Sequence, residues 1–224
     1  MDKKTLSKYN SIKEGAILKL PNTGDYDINF VVTVRERKNF IDPFFEVFEL
    51  AANKSDLSIC LTIVEHSNRP DHSKWCKKNK VNYIYIECEP EDEFDKTMGY
   101  EIGALFSVNA RYHIFHEVDI HMKSCFFEKI SNCISNEINL TNCFPSYGIA
   151  DCGFEITKGL IRGSVKVEDL DKKTFGVSYN TSIKEGSLFV KDSFLKDNGY
   201  ESSLRMNSYF IEGMDLFCFW RKDD

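Results

Sequence analysis

Glu117, Asp119 and His121 stand two residues apart, directly after the apolar run Tyr112-His113-Ile114-Phe115-His116. Alternate side chains of an extended backbone point the same way. A strand continuing through this stretch would bring two carboxylates and an imidazole to one side. Hard oxygen donors with one imidazole suit Mn²⁺ or Mg²⁺, and such an ion can bridge to a diphosphate. The plainer reading is a strand end carrying solvated charges. A zinc site is a further alternative, because His113, His116, His121 and Cys125 fall within 13 residues. Against zinc, His113 and His116 are three apart and so face opposite sides of a strand. His113 is expected in the core or at an interface.

The elements that would position these groups follow from hydrophobic pattern. Apolar, β-branched runs at 28–34, 57–64, 81–86 and 112–116 predict strands. Between them, 40–52, 72–80 and 96–109 read as helices, the first with an apolar stripe at 41, 44, 45, 48 and 51–52. Strands alternating with helices predict an α/β fold with a mostly parallel central sheet flanked by helices. Ligands of such sheets bind outside the carboxyl ends of the strands, which is where Glu117 and Asp119 stand. The second half is less regular. A helix is expected over 125–138, short strands broken by glycines over 145–167, and a strand, a turn and a strand over 176–190. A short helix over 191–198 ends at Gly199, and 214–221 reads as a closing apolar helix. Residues 1–26 read as an extension packed on a single domain spanning 27–224.

The chain has 224 residues and is 42% hydrophobic, with 18 Phe and 10 Tyr, enough for a large aromatic core. Its formal charge of −6 argues against a nucleic-acid partner, which needs a dominant basic surface. The eight cysteines form no Cys-x-x-Cys pair, which disfavours a zinc ribbon. Met1 to Lys19 is polar and charged rather than a secretory leader, and no apolar run nears the roughly 20 residues of a membrane span. A reduced, cytoplasmic protein is therefore expected, with the sequons at Asn53, Asn139 and Asn180 unused.

Several segments, in conserved order along the chain, resemble the β-1,4-galactosyltransferases. Val31-Val32-Thr33-Val34-Arg35-Glu36-Arg37 is similar to that family's first strand with its Pro-Phe-Arg-x-Arg ending, without the Pro. Phe94-Asp95-Lys96-Thr97-Met98-Gly99-Tyr100-Glu101-Ile102-Gly103 resembles Phe-Asn-Arg-Ala-Lys-x-x-Asn-x-Gly. Phe115 to Ile120 resembles the metal motif Phe-x-Asp-Val-Asp-Leu, and Lys191 to Tyr200 resembles Lys-x-x-Phe-x-x-x-Asn-Gly-Phe. Phe210 to Leu216 resembles that family's Trp-Gly-x-Glu-Asp region and also the Gly-Glu-Asn-x-Glu-x segment of the polypeptide N-acetylgalactosaminyltransferases, whose Asp-x-His metal motif Asp119-Ile120-His121 fits. The set covers about residues 28–220.

This resemblance implies a GT-A fold, with a nucleotide-binding half over 27–120 and an acceptor half over 121–224. It implies transfer of a sugar from a UDP-sugar donor to a glycan or glycoprotein acceptor, with Mn²⁺ or Mg²⁺ as cofactor. By the same resemblance, Arg35 and Arg37 approach the nucleotide, Phe94 stacks on the uracil and Lys96 meets the diphosphate. Val118 lines the pocket, Asp119 ligates the metal, and Glu117 reaches the ribose or a metal-bound water. Both families recruit a later His as metal ligand; no His follows His121 here, so His121 or water would complete the shell. Glu212 becomes the base that takes the acceptor's hydroxyl proton in an inverting transfer, with Asp215 on the same helical face. The bland alternatives are a solvated loop for Arg35 and Arg37, core packing for Phe94, and a favourably charged helix start for Glu212 and Asp215. Two rival functions remain: a non-catalytic glycan-binding module on a degenerate transferase fold, and a sugar nucleotidyltransferase. The latter would want a Gly-rich loop after the first strand, where Arg35-Glu36-Arg37 stands instead.

Overall fold

Hydrogen bonding along the chain yields, in order, α1 (Lys3–Gly15), β1 (Ile17–Lys19), β2 (Asp25–Val34), α2 (Lys38–Ala52), β3 (Ile59–Ser67), α3 (Ser73–Asn79), β4 (Asn82–Glu87) and α4 (Lys96–Phe106). The chain continues through β5 (Asn109–Glu117), β6 (Ile120–His121), α5 (Phe126–Ser135), β7 (Leu140–Asn142) and β8 (Ser146–Ala150). It ends with β9 (Ser178–Asn180), β10 (Ser187–Lys191), α6 (Asp192–Asn198) and β11 (Asp215–Phe219). The computed structural model describes residues 3–122, 125–143, 146–150, 164, 178–180, 187–200, 202–203 and 215–219.

Seven strands form the main sheet in the order β1-β4-β3-β2-β5-β10-β7. The pairs β2–β3, β3–β4 and β2–β5 are parallel; β1, β10 and β7 add antiparallel edges. From β2 the chain winds outward through α2, β3, α3 and β4. It then returns over α4 to place β5 on the other side of β2. The strand order therefore reverses between β2 and β5, and the carboxyl ends of these two strands open a crevice there. A second sheet, in the order β6-β11-β8-β9, begins just after β5.

Period-two alternation sorts the side chains of β2. Ile28, Phe30, Val32 and Val34 enter one core with α2 and α5, where Phe30 meets Phe44, Phe48, Phe126 and Phe127. Val31, on the opposite face, enters a second core with α4 and α1. Helix α4 lies close on that face. A Cβ at Gly103 would sit 2.4 Å from Val31 Cγ1, and one at Gly99 2.6 Å from Thr33 Cγ2. Two glycines one turn apart let the helix backbone approach β2, which brings the first turn of α4 to the crevice. Residues 17–19, within the segment expected to be an extension, pair with β4. Residues 187–191, from the expected acceptor half, pair with β5 in the main sheet.

The expected closing helix over 214–221 is corrected: residues 215–219 form β11, parallel to β8 and antiparallel to β6. Short apolar runs read equally as helix or strand, and here the neighbouring strands decide. The pairing of Glu212 with Asp215 on one helical face falls with it.

A buried carboxylate ties β3, α3 and β4 together. Glu65, fully buried, accepts the Tyr83 hydroxyl at 2.5 Å and the backbone N–H groups of Asp71 and His72 at 3.1 Å each. His72 Nδ1 lies 3.0 Å from the same carboxyl. Burial by itself would raise the Glu65 pKa, but the hydrogen bonds from His72 and Tyr83 outweigh it and the net displacement is downward. A carboxylate held below its unfolded value stabilises the fold above that value, and the contribution is lost as pH falls through the depressed one. Glu65→Gln is therefore expected to cost about 1–3 kcal/mol at neutral pH. It should also flatten the loss of stability below the ordinary glutamate value of about 4.3. Urea midpoints measured across this range check it; parallel wild-type and variant curves would contradict it.

Candidate functional site

The crevice at the reversal point is a cleft of about 810 Å³. The segment after β2 contributes Arg35, Glu36, Arg37 and Lys38; the entry to α4 contributes Phe94 and Lys96; the end of β5 contributes Glu117, Val118 and Asp119. Glu36 is a non-glycine residue at φ 54°, in the left-handed region. Such backbone costs energy and persists where surrounding structure over-determines it, commonly beside sites.

Strand β5 ends at Glu117, which pairs with Thr33 of β2. The chain then turns at Val118-Asp119 before β6, so the expected alternation of Glu117, Asp119 and His121 along one continuing strand is corrected. The turn has a local cause. His116, fully buried among Phe30, Phe44 and Phe126, donates Nε2–H to the carbonyl of Ile120 at 2.9 Å. This bond spans the turn, and Val118 within it packs into the core shared with α2 and α5. Spacing offers His116 only as a zinc alternative; its bond to the Ile120 carbonyl carries no signal in the sequence. His113 lies on the opposite face, buried, with Nε2 3.1 Å from Asp192 Oδ1, so these two histidines do not converge.

Charge is concentrated at the turn. Lys96, the first residue of α4, holds Glu117 Oε1 at 2.7 Å, with both side chains partly exposed. Lys96 thus meets a carboxylate of this chain at the mouth of the cleft. Asp119 is half-buried. Its burial, then the neighbouring Glu117 charge, push its pKa above the usual aspartate value, against the pull of Arg37 and Lys96. Arg37 is exposed, its guanidinium 5.6 Å from the Phe40 ring centroid. Phe94 keeps 38% of its surface exposed, which answers the core-packing alternative. Beneath it lies the buried His66 ring, with centroids 6.2 Å apart and planes tilted 31°. Burial and then Arg35 lower the His66 pKa.

Arg35 lines the cleft, but its guanidinium is turned to the protein. Nη1 donates to the Asp92 carbonyl at 2.5 Å, and Nη2 to the Pro90 and Glu89 carbonyls at 2.8 and 3.2 Å. The expectation that Arg35 approaches a nucleotide directly is thereby modified.

Glu212 lies outside the described residues. Asp215 opens β11, whose register sets Phe217 opposite His121 and Cys218 opposite Ile120. Asp215 is displaced along the strand away from Asp119, by about four residue steps or roughly 13 Å. His121 is placed in β6 by its backbone.

The carboxylates of the cleft are hard donors of the kind a divalent ion takes. Among the described residues no group of three or more His, Cys, Asp or Glu side chains is arranged to hold a metal. Two hard carboxylates are present at the turn, however, Glu117 and the half-buried Asp119. Mg²⁺-like ions are commonly bound by one or two carboxylates, with phosphate and water completing the shell.

No protein-family model matches the chain, and no curated protein matches it. Solved structures do. Glucosyl-3-phosphoglycerate synthase from Mycobacterium tuberculosis, in complex with Mn²⁺, UDP and glucosyl-3-phosphoglycerate, is 12% identical with a TM-score of 0.50, covering 100% of this chain and 78% of that one. S. aureus TarS 1-349 in complex with UDP-GlcNAc is 12% identical at a TM-score of 0.48, covering 88% and 60%. A mutant Drosophila β-1,4-galactosyltransferase 7 in complex with manganese, UDP-Gal and xylobiose is 10% identical at 0.42, covering 76% and 51%. The chain spans about half to three-fifths of the length of these last two. The architecture is the GT-A nucleotide-diphospho-sugar transferase fold, mixed α/β with a mostly parallel central sheet flanked by helices. Among the described residues, no helix is long and apolar enough to cross a membrane.

Proposed function

We propose that this chain is a metal-dependent glycosyltransferase that moves a sugar from a UDP-sugar donor to a glycan or glycoprotein acceptor. The observation that carries the reading is the cleft between the carboxyl ends of β2 and β5. There Asp119 and Glu117 stand beside Lys96 and Arg37, with the exposed Phe94 ring alongside. A nucleoside diphosphate asks for this combination: a flat apolar surface for the base, cations for phosphate oxygens, and carboxylates for the divalent ion between them. The GT-A fold, which hosts this cleft at the reversal of strand order, supports the same reading.

In this reading Asp119 holds Mn²⁺ or Mg²⁺, with His121 or water in the remaining positions. Bound there, the ion neutralises charge on the departing diphosphate. Arg37 and Lys96 add positive charge at the same place, and Val118 closes the floor of the pocket. Glu117 hydrogen-bonds the donor or a metal-bound water. Phe94 presents its face to the uracil. Glu212 is retained as the base for an inverting transfer; Asp215, on β11, is better suited to an acceptor contact than to sharing that role. The likeness to polypeptide N-acetylgalactosaminyltransferases rests on 119–121 and 210–216 alone, so the donor site is read on the galactosyltransferase-like pattern.

A thermal-shift panel of nucleotide sugars with and without Mn²⁺ tests the assignment. Stabilisation by a UDP-sugar that requires Mn²⁺ is expected. Stabilisation by free glycans alone would replace the reading with a glycan-binding module, and stabilisation by a nucleoside triphosphate with a nucleotidyltransferase.

A further inference from the structure

We infer that Arg35 acts on the donor through Phe94: its guanidinium is the clamp that shapes the β4–α4 loop into a base-binding platform. The inference rests on the nucleotide reading above and changes what Arg35 does within it.

Residues 88–95 connect β4 to α4 and carry five acidic side chains, at 89, 91, 92, 93 and 95. Like charges at this density repel one another and favour a spread, solvated loop. The loop instead forms a tight turn, with Asp92 N–H donating to the Glu89 carbonyl at 3.1 Å and Glu89 N–H to Asp92 Oδ2 at 2.9 Å. Arg35 sits inside this turn. A guanidinium has five N–H donors in a rigid fork. Three of them are committed to the carbonyls of Glu89, Pro90 and Asp92, and Nη2 spends both its hydrogens there. The positive charge is thus held on the backbone of an acidic loop.

Phe94 lies between this clamp and a second anchor. On its far side, Asp95 caps α4 by accepting the Met98 N–H at 2.8 Å. Held at both ends, the loop can keep Phe94 against His66 with 38% of its surface turned out. Released at the Arg35 end, an exposed aromatic side chain on an acidic loop has little to hold it in place. Arg35 is thus a positioning residue for base recognition, whereas Arg37 and Lys96 supply charge to the phosphates.

The two roles separate by ligand. Uridine, UDP and inorganic pyrophosphate are titrated, with Mn²⁺ present, into wild type, Arg35→Ala, Arg35→Lys, Phe94→Ala and the Arg35→Ala/Phe94→Ala double variant. A clamp predicts that Arg35→Ala weakens uridine and UDP alike, by about tenfold, and leaves pyrophosphate unchanged. Phe94→Ala should show the same pattern, and the double variant no further loss. Arg35→Lys should resemble Arg35→Ala, because an ammonium cannot fork across three carbonyls; its smaller change also covers the case in which the alanine variant fails to fold. A loss confined to UDP and pyrophosphate, with uridine binding intact, would show direct phosphate contact and overturn the inference, as would additive losses in the double variant. Wild-type protein that binds neither uridine nor UDP would remove the nucleotide reading itself and the inference with it. That failure appears before any variant is made, so the two are told apart.

Discussion

Asp119→Asn is expected to lower sugar transfer by roughly 100- to 1,000-fold, the loss typical of removing one group that meets charge developing in the transition state. The substitution keeps shape and removes a hard anionic donor, so Mn²⁺-dependent stabilisation by UDP should disappear with it. A second readout guards against a trivial explanation by misfolding. In wild-type protein, burial and Glu117 raise the Asp119 pKa above its ordinary value. A carboxyl whose folded-state pKa is raised binds its proton more tightly when folded. Its contribution to stability is full below the ordinary aspartate value and lost as pH rises through the raised one. Asparagine never ionises and escapes that loss. In chelator-treated protein at neutral pH, Asp119→Asn should therefore melt no lower than wild type and somewhat higher. A variant that loses activity and also melts lower would point to damage rather than to a lost ligand. Unchanged Mn²⁺-dependent UDP binding would sink the metal assignment.

Lys96→Met should raise the donor KM by about 10- to 100-fold, a range set by one charge-assisted phosphate contact, with a smaller effect on acceptor KM. The position itself is informative. A cation in the first turn of a helix opposes the macrodipole, so helix formation gives no reason for Lys96 to be there. What it does have is Glu117, 2.7 Å away across the mouth of the cleft. Methionine keeps the reach and apolar stem of the side chain but removes the charge. Glu117 and Asp119 then share the turn without that cation, which raises the Asp119 pKa further and moves the low-pH limit of metal-dependent donor binding upward. Because the pair is partly exposed, its loss should change fold stability by no more than about 1 kcal/mol. Pyrophosphate binding should weaken together with UDP binding while uridine is spared, the reverse of the pattern expected for Arg35. An unaltered donor KM would release Lys96 from any phosphate role.

Legibility in the sequence followed the range of the forces involved. The four parallel strands and the helices α2 and α4 were readable because an amphipathic period is local, and each segment carried it in full. The acidic end of β5 was readable because it stands at a strand's carboxyl end, where α/β sheets bind ligands; Phe94, Lys96 and Val118 entered only through the resemblance to galactosyltransferases, and all five line one cleft. Where a local signal was ambiguous, reading failed. Leu216-Phe217-Cys218-Phe219 suits a helix or a strand equally, and it is a strand because β6 and β8 offer backbone partners on both sides.

From its own residues, then, the sequence determined the four parallel strands, the helices α2 and α4 and the acidic end of β5. Tertiary structure alone decided which of them meet. Strand order set β5 beside β2 and so closed the cleft; a buried imidazole on a carbonyl bent the chain at Val118-Asp119 instead of letting the strand run on. It also turned Arg35 inward to three carbonyls and joined Lys96 to Glu117. Periodicity records which face of an element is apolar, whereas pairing between distant segments depends on packing and hydrogen bonds that no local pattern encodes.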